Sequence, residues 1–200
     1  MTHRIRTVAT DVFAIAALAI LSSVAAAQDT ATWTGSGGDL LYSNPANWDV
    51  GAVPVNGGTT YSVVIPGSPA VVFDLGAAGS IDALAIDPSA SLALDGGRVL
   101  EVLGVADIGG MVSADGAGTE FKALGGGSIL GAKGSLAASG GAILRHGATS
   151  YANSNGAPVT WTVLSADGAG TLLDVSAIQS YVDDRNLGGA AVRTLVASNG

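Results

Sequence analysis

Short runs of alternating apolar and polar or small residues follow one another along most of the chain. Residues 61–65, 81–86 and 98–103 are examples, and turn-forming residues such as Gly and Asp separate such runs. A strand with one buried face has this period of two, whereas an amphipathic helix repeats its apolar residues every three to four positions. Helical periodicity over ten or more residues is absent after the first 27 positions. The pattern therefore predicts an all-β protein of short strands joined by tight turns.

The chain also repeats itself at intervals typical of solenoid proteins. Residues 112–119 read Val-Ser-Ala-Asp-Gly-Ala-Gly-Thr, and residues 164–171 repeat this segment with Leu in the first position, at an offset of 52. A second pair, 142–151 and 172–181, ends in Ser-Tyr at an offset of 30. A looser series of about 30 residues begins at three leucines, a spacing typical of stacked repeats: Leu136, Leu164 and Leu195.

These repeats predict a right-handed parallel β-helix. A strand–turn–strand unit cannot bury its apolar row alone, but copies stacked on one another bury it in a shared column. The alternative is a β-sandwich, because regularly spaced short strands also fit that fold. We expect a capping segment at 28–58 and coils from 59 to 200. Because residues 195–200 look like the start of another repeat, we expect the coils to continue in a longer protein.

The first 27 residues have the three parts of a secretory signal. His3, Arg4 and Arg6 form a basic start, residues 12–24 are mostly apolar, and three alanines precede Gln28. The apolar run is shorter than the ~20 residues of a membrane-spanning helix. We therefore expect cleavage of residues 1–27, export to the medium or the cell surface, and no membrane span in the mature chain.

Composition narrows the classes of function. Glycine contributes 30 of the 200 residues, charged residues make up 12%, and 14 of the 16 acidic residues are Asp. Asp and Gly favour turns, so the composition agrees with many tight corners. The net charge of −8 disfavours nucleic acid as a partner. The lack of Cys excludes disulfides and thiolate metal sites.

The aromatic N-terminal segment resembles that of a known group of proteins. Its marks are Trp33-Thr-Gly35, Asn47-Trp48 and Pro54, followed by an apolar strand at 63–65. This pattern, and repeat lines such as 166–176, resemble secreted bacterial β-helix proteins of the autotransporter-passenger-like and surface-anchored repeat type. The resemblance covers most of residues 31–200 and is carried by structural motifs. It implies an exported, cell-surface β-helix and does not imply an activity.

Few residues form a pattern suited to catalysis. His146 is the one His after residue 27, and no Gly-x-Ser-x-Gly elbow accompanies it, so we expect an exposed His on a coil and no nucleophilic triad. The densest group for acid–base chemistry on polysaccharide comprises four residues: Asp174, Asp183, Asp184 and Arg185. A solvated, self-neutralising turn is the preferred interpretation of this group.

Two further sets of residues have a functional and a structural interpretation. Asp115 and Asp167 occupy equivalent repeat positions, but Asp-Gly turns need no ion and the spacing of calcium-binding repeats is missing, so we predict no metal. Five aromatic residues could stack on sugars, and packing inside the coils or under the cap is the preferred interpretation: Trp33, Trp48, Trp161, Tyr151 and Tyr181.

We therefore predict a non-catalytic, adhesin-like structural protein that is secreted or held at the cell surface, with no cofactor. Its expected partners are extracellular polysaccharide or cell-surface components. A polysaccharide lyase or hydrolase is one alternative, and it requires the Asp174 group to converge in a groove. A carbohydrate-binding module is the other, and it requires Tyr151, Tyr181 or Trp161 in an exposed flat row.

Overall fold

The chain folds as a parallel β-helix of three sheets. The computed structural model describes residues 28–130, 134–153, 162–183 and 194–198. Their strands form three parallel sheets. Sheet 1 contains β1 (Gln28–Thr32), β2 (Thr60–Ile65), β5 (Ala83–Ile86), β8 (Ala106–Ile108), β11 (Gly127–Leu130), β14 (Ser150–Asn153) and β17 (Ser180–Asp183). Sheet 2 contains β3 (Ala70–Phe73), β6 (Ser91–Leu94), β9 (Met111–Asp115), β12 (Ser135–Ser139), β15 (Thr162–Asp167) and β18 (Thr194–Ser198). Sheet 3 contains β4 (Gly79–Ile81), β7 (Val99–Val102), β10 (Glu120–Ala123), β13 (Ile143–His146) and β16 (Leu172–Asp174).

Each coil contributes one strand to each sheet in turn. Strands β2, β3 and β4 make the first such group, and β5, β6 and β7 stack directly on them in the same order. Every ladder between named strands is parallel, which confirms the β-helix and excludes the β-sandwich. Neighbouring strands in a sheet lie about 4.8 Å apart, so successive coils share one interior.

The register explains the offsets in the sequence. Val112 is paired with Leu136, and Leu136 with Leu164, so the repeat at an offset of 52 spans two coils of 24 and 28 residues. Leu164 is paired in turn with Leu195, which confirms the looser leucine series. Coils therefore lengthen along the axis, because Ile65 and Ile86 are 21 residues apart in an early pair.

The interior consists of columns of aliphatic side chains. One column in sheet 1 contains four isoleucines on successive coils, all at most 3% exposed: Ile65, Ile86, Ile108 and Ile129. Sheet 2 contributes a second buried column: Val71, Leu92, Val112, Leu136 and Leu164. Because strand side chains alternate between faces, the intervening residues point outward. Burial of these stacked aliphatic side chains is the main stabilising contribution to the fold.

Residues 28–56 lie against the first strand of each sheet. Strand β1 pairs with β2, the Tyr42 N–H donates to the Val72 carbonyl at 2.9 Å, and the Asn56 N–H donates to the Ser80 carbonyl at 2.8 Å. Strand edges that would otherwise be open are thus paired, which removes a site for unwanted strand addition. A short 3₁₀ helix, Pro45–Asn47, also lies in this segment.

An aromatic cluster fills this segment. The rings of Trp33 and Trp48 are 5.1 Å apart and nearly perpendicular, and Tyr42 lies 4.8 Å from Trp48 and 5.0 Å from Phe73. All four side chains are buried. Edge-to-face pairs of this type add to the stabilisation from burial. Packing is therefore the confirmed role of Trp33 and Trp48, and neither ring is exposed for stacking on a sugar.

Asn47 holds the loops of this segment together. Its side chain is fully buried, its Nδ2 donates to Asp39 Oδ1 at 2.7 Å and to the Leu41 carbonyl at 3.0 Å, and its Oδ1 accepts from Gly37 N–H at 2.9 Å. The amides of Asn44 and Asn47 hold the pKa of Asp39 below its usual range by hydrogen bonding. A side chain that both donates and accepts is needed at this position.

We expect Asn47→Leu to lower the free energy of unfolding by about 3 kcal/mol, because a buried N–H and a buried carbonyl lose their partners. Chemical denaturation of the purified chain measures the effect. The matched control is Ser36→Ala, which changes an exposed side chain in the same loop. Equal midpoints for the two variants would show that Asn47 does not have this role.

Candidate functional site

Tyr151 and Tyr181 stack in neighbouring strands, as their matching repeat positions predict. The two residues are paired in the ladder between β14 and β17. The side chain of Tyr151 is only 1% exposed, because its column continues the isoleucine column of sheet 1 from Ile129. Tyr151 is therefore an interior residue, which confirms packing and contradicts an exposed sugar platform at this position. The side chain of Tyr181 and all of Trp161 lie outside the described residues.

The acidic group proposed for polysaccharide cleavage is divided between sheets. Asp174 ends β16 in sheet 3, whereas Asp183 ends β17 in sheet 1. The structure does not bring these two positions together on one face. Asp184 and Arg185 lie outside the described residues. Convergence of the group in a groove is therefore not seen for the pair that the structure describes.

Asp174 has a local structural role. Its Oδ1 accepts a hydrogen bond from the Ser176 N–H at 3.0 Å, which is the geometry of an Asx turn. Hydrogen bonds from Ser176 and the nearby charge of Arg145 hold the pKa of Asp174 below its usual range. A carboxylate that stays ionised and closes a turn is suited to shaping a corner. A catalytic acid would instead need a raised pKa.

His146 lies inside the β-helix, so the expectation of an exposed His was wrong. Its side chain is 1% exposed and continues an inward column of sheet 3 that contains Val102 and Ala123. The cause is the period of two, because His146 has the same parity as buried Leu144 and the opposite parity to outward-facing Arg145. This parity is the sequence signal that could have located the side chain.

Both ring nitrogens of His146 take part in hydrogen bonds to the backbone. Nε2 lies 3.1 Å from the carbonyl oxygen of Ala106, and Nδ1 accepts from the Ala148 N–H at 3.0 Å. These partners require a neutral ring that carries its proton on Nε2. Burial lowers the pKa to about 4, although the Ala106 carbonyl and the charge of Asp107 oppose the shift. A ring bonded in this way is not placed to act as a general base on a ligand.

The repeated Ser-Ala-Asp-Gly-Ala-Gly-Thr segment forms a corner that links coils. The Thr119 hydroxyl donates to the Asp115 carbonyl at 2.7 Å and accepts from the Gly97 N–H of the preceding coil at 2.9 Å. Thr171 repeats both bonds two coils later. Sequence reasoning missed this threonine, although its fixed place after each Asp-Gly-Ala-Gly turn is a usable signal.

Asp115 contributes its carboxylate to the same corner. In the ladder Asp115 is paired with Ser139, whose hydroxyl donates to Asp115 Oδ1 at 2.6 Å, and Ser139 is paired with Asp167. The two Asp-Gly turns therefore share a column, with one coil between them. Over the described ranges, no group of three or more His, Asp or Glu residues is arranged to hold a metal ion.

The outward face of sheet 3 is charged. Lys122 lies 2.5 Å from Glu101 in the preceding coil, and Arg145 lies 2.8 Å from Glu120. Arg98 pairs with Asp95 at the corner that precedes β7. Each Lys or Arg in the described part of the chain thus has a carboxylate partner. Pairs this exposed contribute about 0.5 kcal/mol each, so they align neighbouring coils more than they stabilise the fold.

The outward face of sheet 2 has a different character. Its central column consists of small or aliphatic residues on successive coils: Leu41, Val72, Ala93, Ser113, Ala137 and Ser165. The described strand positions on this face carry no charged side chain. Leu41 and Met111 are 39% and 42% exposed there. The face is therefore flat, weakly polar and accessible.

Comparison of the chain with protein-family models, with curated proteins and with solved structures found no match. Within the part of the chain that the structure describes, no helix has the length and apolarity needed to cross a membrane.

Proposed function

We propose that this chain is an exported, non-catalytic structural protein of adhesin-like type, which presents a β-helix surface outside the cytoplasm. The observation that carries the proposal is that the described side chains best suited to chemistry serve the scaffold. His146 bonds two backbone groups of the core, and Asp174 closes a turn. Active sites usually keep such groups convergent and accessible, with pKa values tuned toward neutrality.

Export is supported by the sequence of residues 1–27, which has the basic, apolar and small-residue parts of a secretory signal. Those residues lie outside the described part of the chain. The absence of Cys requires stability from sources other than disulfides, and the continuous aliphatic columns supply one.

Adhesion is supported by the contrast between the faces. Sheet 3 carries charges that are paired within the molecule, whereas the outward column of sheet 2 is uncharged and partly apolar. Removal of an uncharged face from water costs little desolvation energy, while paired carboxylates and ammonium groups are costly to desolvate. We propose the sheet 2 face as the contact surface for extracellular polysaccharide or cell-surface components.

Retention of the purified chain on polysaccharide-coated beads tests this surface. Ser113→Arg introduces a charge in the middle of the sheet 2 face, and we expect it to reduce retention about tenfold, because burial of an unpaired charge is costly. The matched control is Ser80→Arg, an equivalent outward change on sheet 3, for which we expect unchanged retention.

Two results would contradict the proposal. Equal retention for both variants would exclude the sheet 2 face. Release of new reducing ends or unsaturated sugars during the incubation would show that the chain is a hydrolase or a lyase.

A further inference from the structure

Gln28 is the first residue of the first strand and the first residue after the predicted signal. Strand β1 begins at Gln28, which is paired with Thr60 of β2, and three alanines precede it in the sequence. We infer that the exported chain begins at Gln28 and that this residue closes into an N-terminal pyroglutamate. The inference rests on the export that forms part of the proposed function.

The backbone of Gln28 faces the free edge of sheet 1. Alternate residues of a strand direct their N–H and C=O groups to opposite edges. The Trp33 N–H donates to the Val64 carbonyl at 2.9 Å on the β2 side, so Gln28 and Thr32 direct theirs to the other side. Thr32 is paired there with Asp49, whose Oδ1 accepts its N–H at 2.7 Å. A new α-amine at Gln28 therefore forms outside the ladder that joins β1 to β2.

The side chain of Gln28 is also accessible. It is exposed, and its Nε2 donates to the Ser62 hydroxyl of β2 at 2.9 Å. An exposed hydrogen bond of this kind is weak and competes with water. The side chain can therefore leave Ser62 and turn toward its own backbone nitrogen without disturbing the core.

The reaction needs no further reactant. The neutral α-amine of Gln28 attacks the side-chain carbonyl carbon Cδ, and a bond forms between the backbone nitrogen and Cδ. The bond between Cδ and Nε2 breaks, and Nε2 leaves as ammonia with a proton from the amine. An ordinary α-amine has a pKa of about 8, so a useful fraction is uncharged at neutral pH. In the uncleaved chain this nitrogen is an amide, whose delocalised lone pair is a poor nucleophile.

The product changes the exposed end of the mature chain. The lactam removes the positive charge of the terminus and the primary amine that aminopeptidases recognise. Terminal strands are the usual sites of fraying and proteolysis. Closure of Gln28 therefore protects β1, whose loss would uncover the edge of β2 and the aromatic cluster behind it.

The test is to express the full chain in a bacterial host and to measure the intact mass and N-terminal peptide of protein recovered outside the cytoplasm. We expect a chain of residues 28–200 that is lighter by one ammonia, is blocked to stepwise N-terminal sequencing and is opened by pyroglutamyl aminopeptidase. The control Gln28→Ala is expected to have the same length and a free amine.

Other outcomes separate the two claims. Export with a persistent free amine on Gln28, or with a different first residue, would overturn the inference and leave the proposed function intact. Retention of residues 1–27 in the cytoplasm would overturn export and the inference together. Ser62→Ala is expected to speed closure of Gln28 about threefold by freeing the side chain, as loss of one weak hydrogen bond implies.

Discussion

Replacement of Gly127 by Ala is expected to lower the free energy of unfolding by about 3 kcal/mol or more, because two costs act at once. Gly127 has a φ of +122°, a region that L side chains rarely adopt. A Cβ placed there would lie 2.1 Å from the Ala106 carbonyl oxygen of the preceding coil. That carbonyl is also the partner of His146 Nε2, so any shift of Ala106 disturbs the core hydrogen bond.

Two neighbouring types of glycine provide the controls. Gly126 has a φ of +96° and open space around its added Cβ, so Gly126→Ala should cost about 1 kcal/mol from the backbone alone. Gly76 has open space and no reported positive φ, so Gly76→Ala should be neutral or slightly stabilising. Denaturation midpoints measure the series. If Gly126→Ala costs as much as Gly127→Ala, close stacking of the coils is not the reason that glycine is needed.

Acid is expected to destabilise the folded chain through His146. Its pKa is about 4 in the folded protein and about 6.5 in an unfolded chain. Between these values the unfolded state binds more protons, so the free energy of unfolding falls as the pH decreases from 6.5 to 4. The contribution is fully present above pH 6.5, and its total loss is about 3 kcal/mol. Protonation also puts a second N–H against the Ala148 N–H, which needs an acceptor.

His146→Gln isolates this effect, because Gln retains a donor for the Ala106 carbonyl and does not titrate. We expect the difference in unfolding free energy between wild type and variant to change with pH between 4 and 6.5 and to be constant above pH 7. Asp39 and Asp174 also have lowered pKa values, but they lose their contribution only below the unfolded carboxyl pKa of about 4. Parallel pH profiles for the two proteins would contradict the assignment.

Local signals were sufficient for the type of strand and the general architecture. The period of two, the Asp-Gly and Gly-Gly corners and the leucine series predicted stacked coils, and the ladders confirm them. Register was predicted less well. An offset of 30 correctly pairs Tyr151 with Tyr181, but it pairs Ala142 with Leu172, whereas the structure pairs Ile143 with Leu172. The turn between the two strands absorbs one residue, and a shift of one residue reverses the face of a strand.

The candidate chemistry could be judged less well than the fold. Sequence proximity grouped Asp174 with Asp183, but a corner between two sheets separates them. His146 was expected outside and lies inside, and Thr119 was not noticed although it joins two coils. In each case the role depends on which face a residue occupies and on the coil next to it. Composition and spacing carry little information about either.

The sequence by itself determined that this chain forms short strands with one apolar side, tight glycine-rich corners and copies that need one another. These properties depend on residues close together in the chain and recur in every repeat. Tertiary structure alone decided which rows become the interior columns, where the buried ring of His146 finds its partners, and which face is left uncharged. Those outcomes depend on corners of unequal length, because each corner sets the register of the next strand and only the stacked neighbours select it.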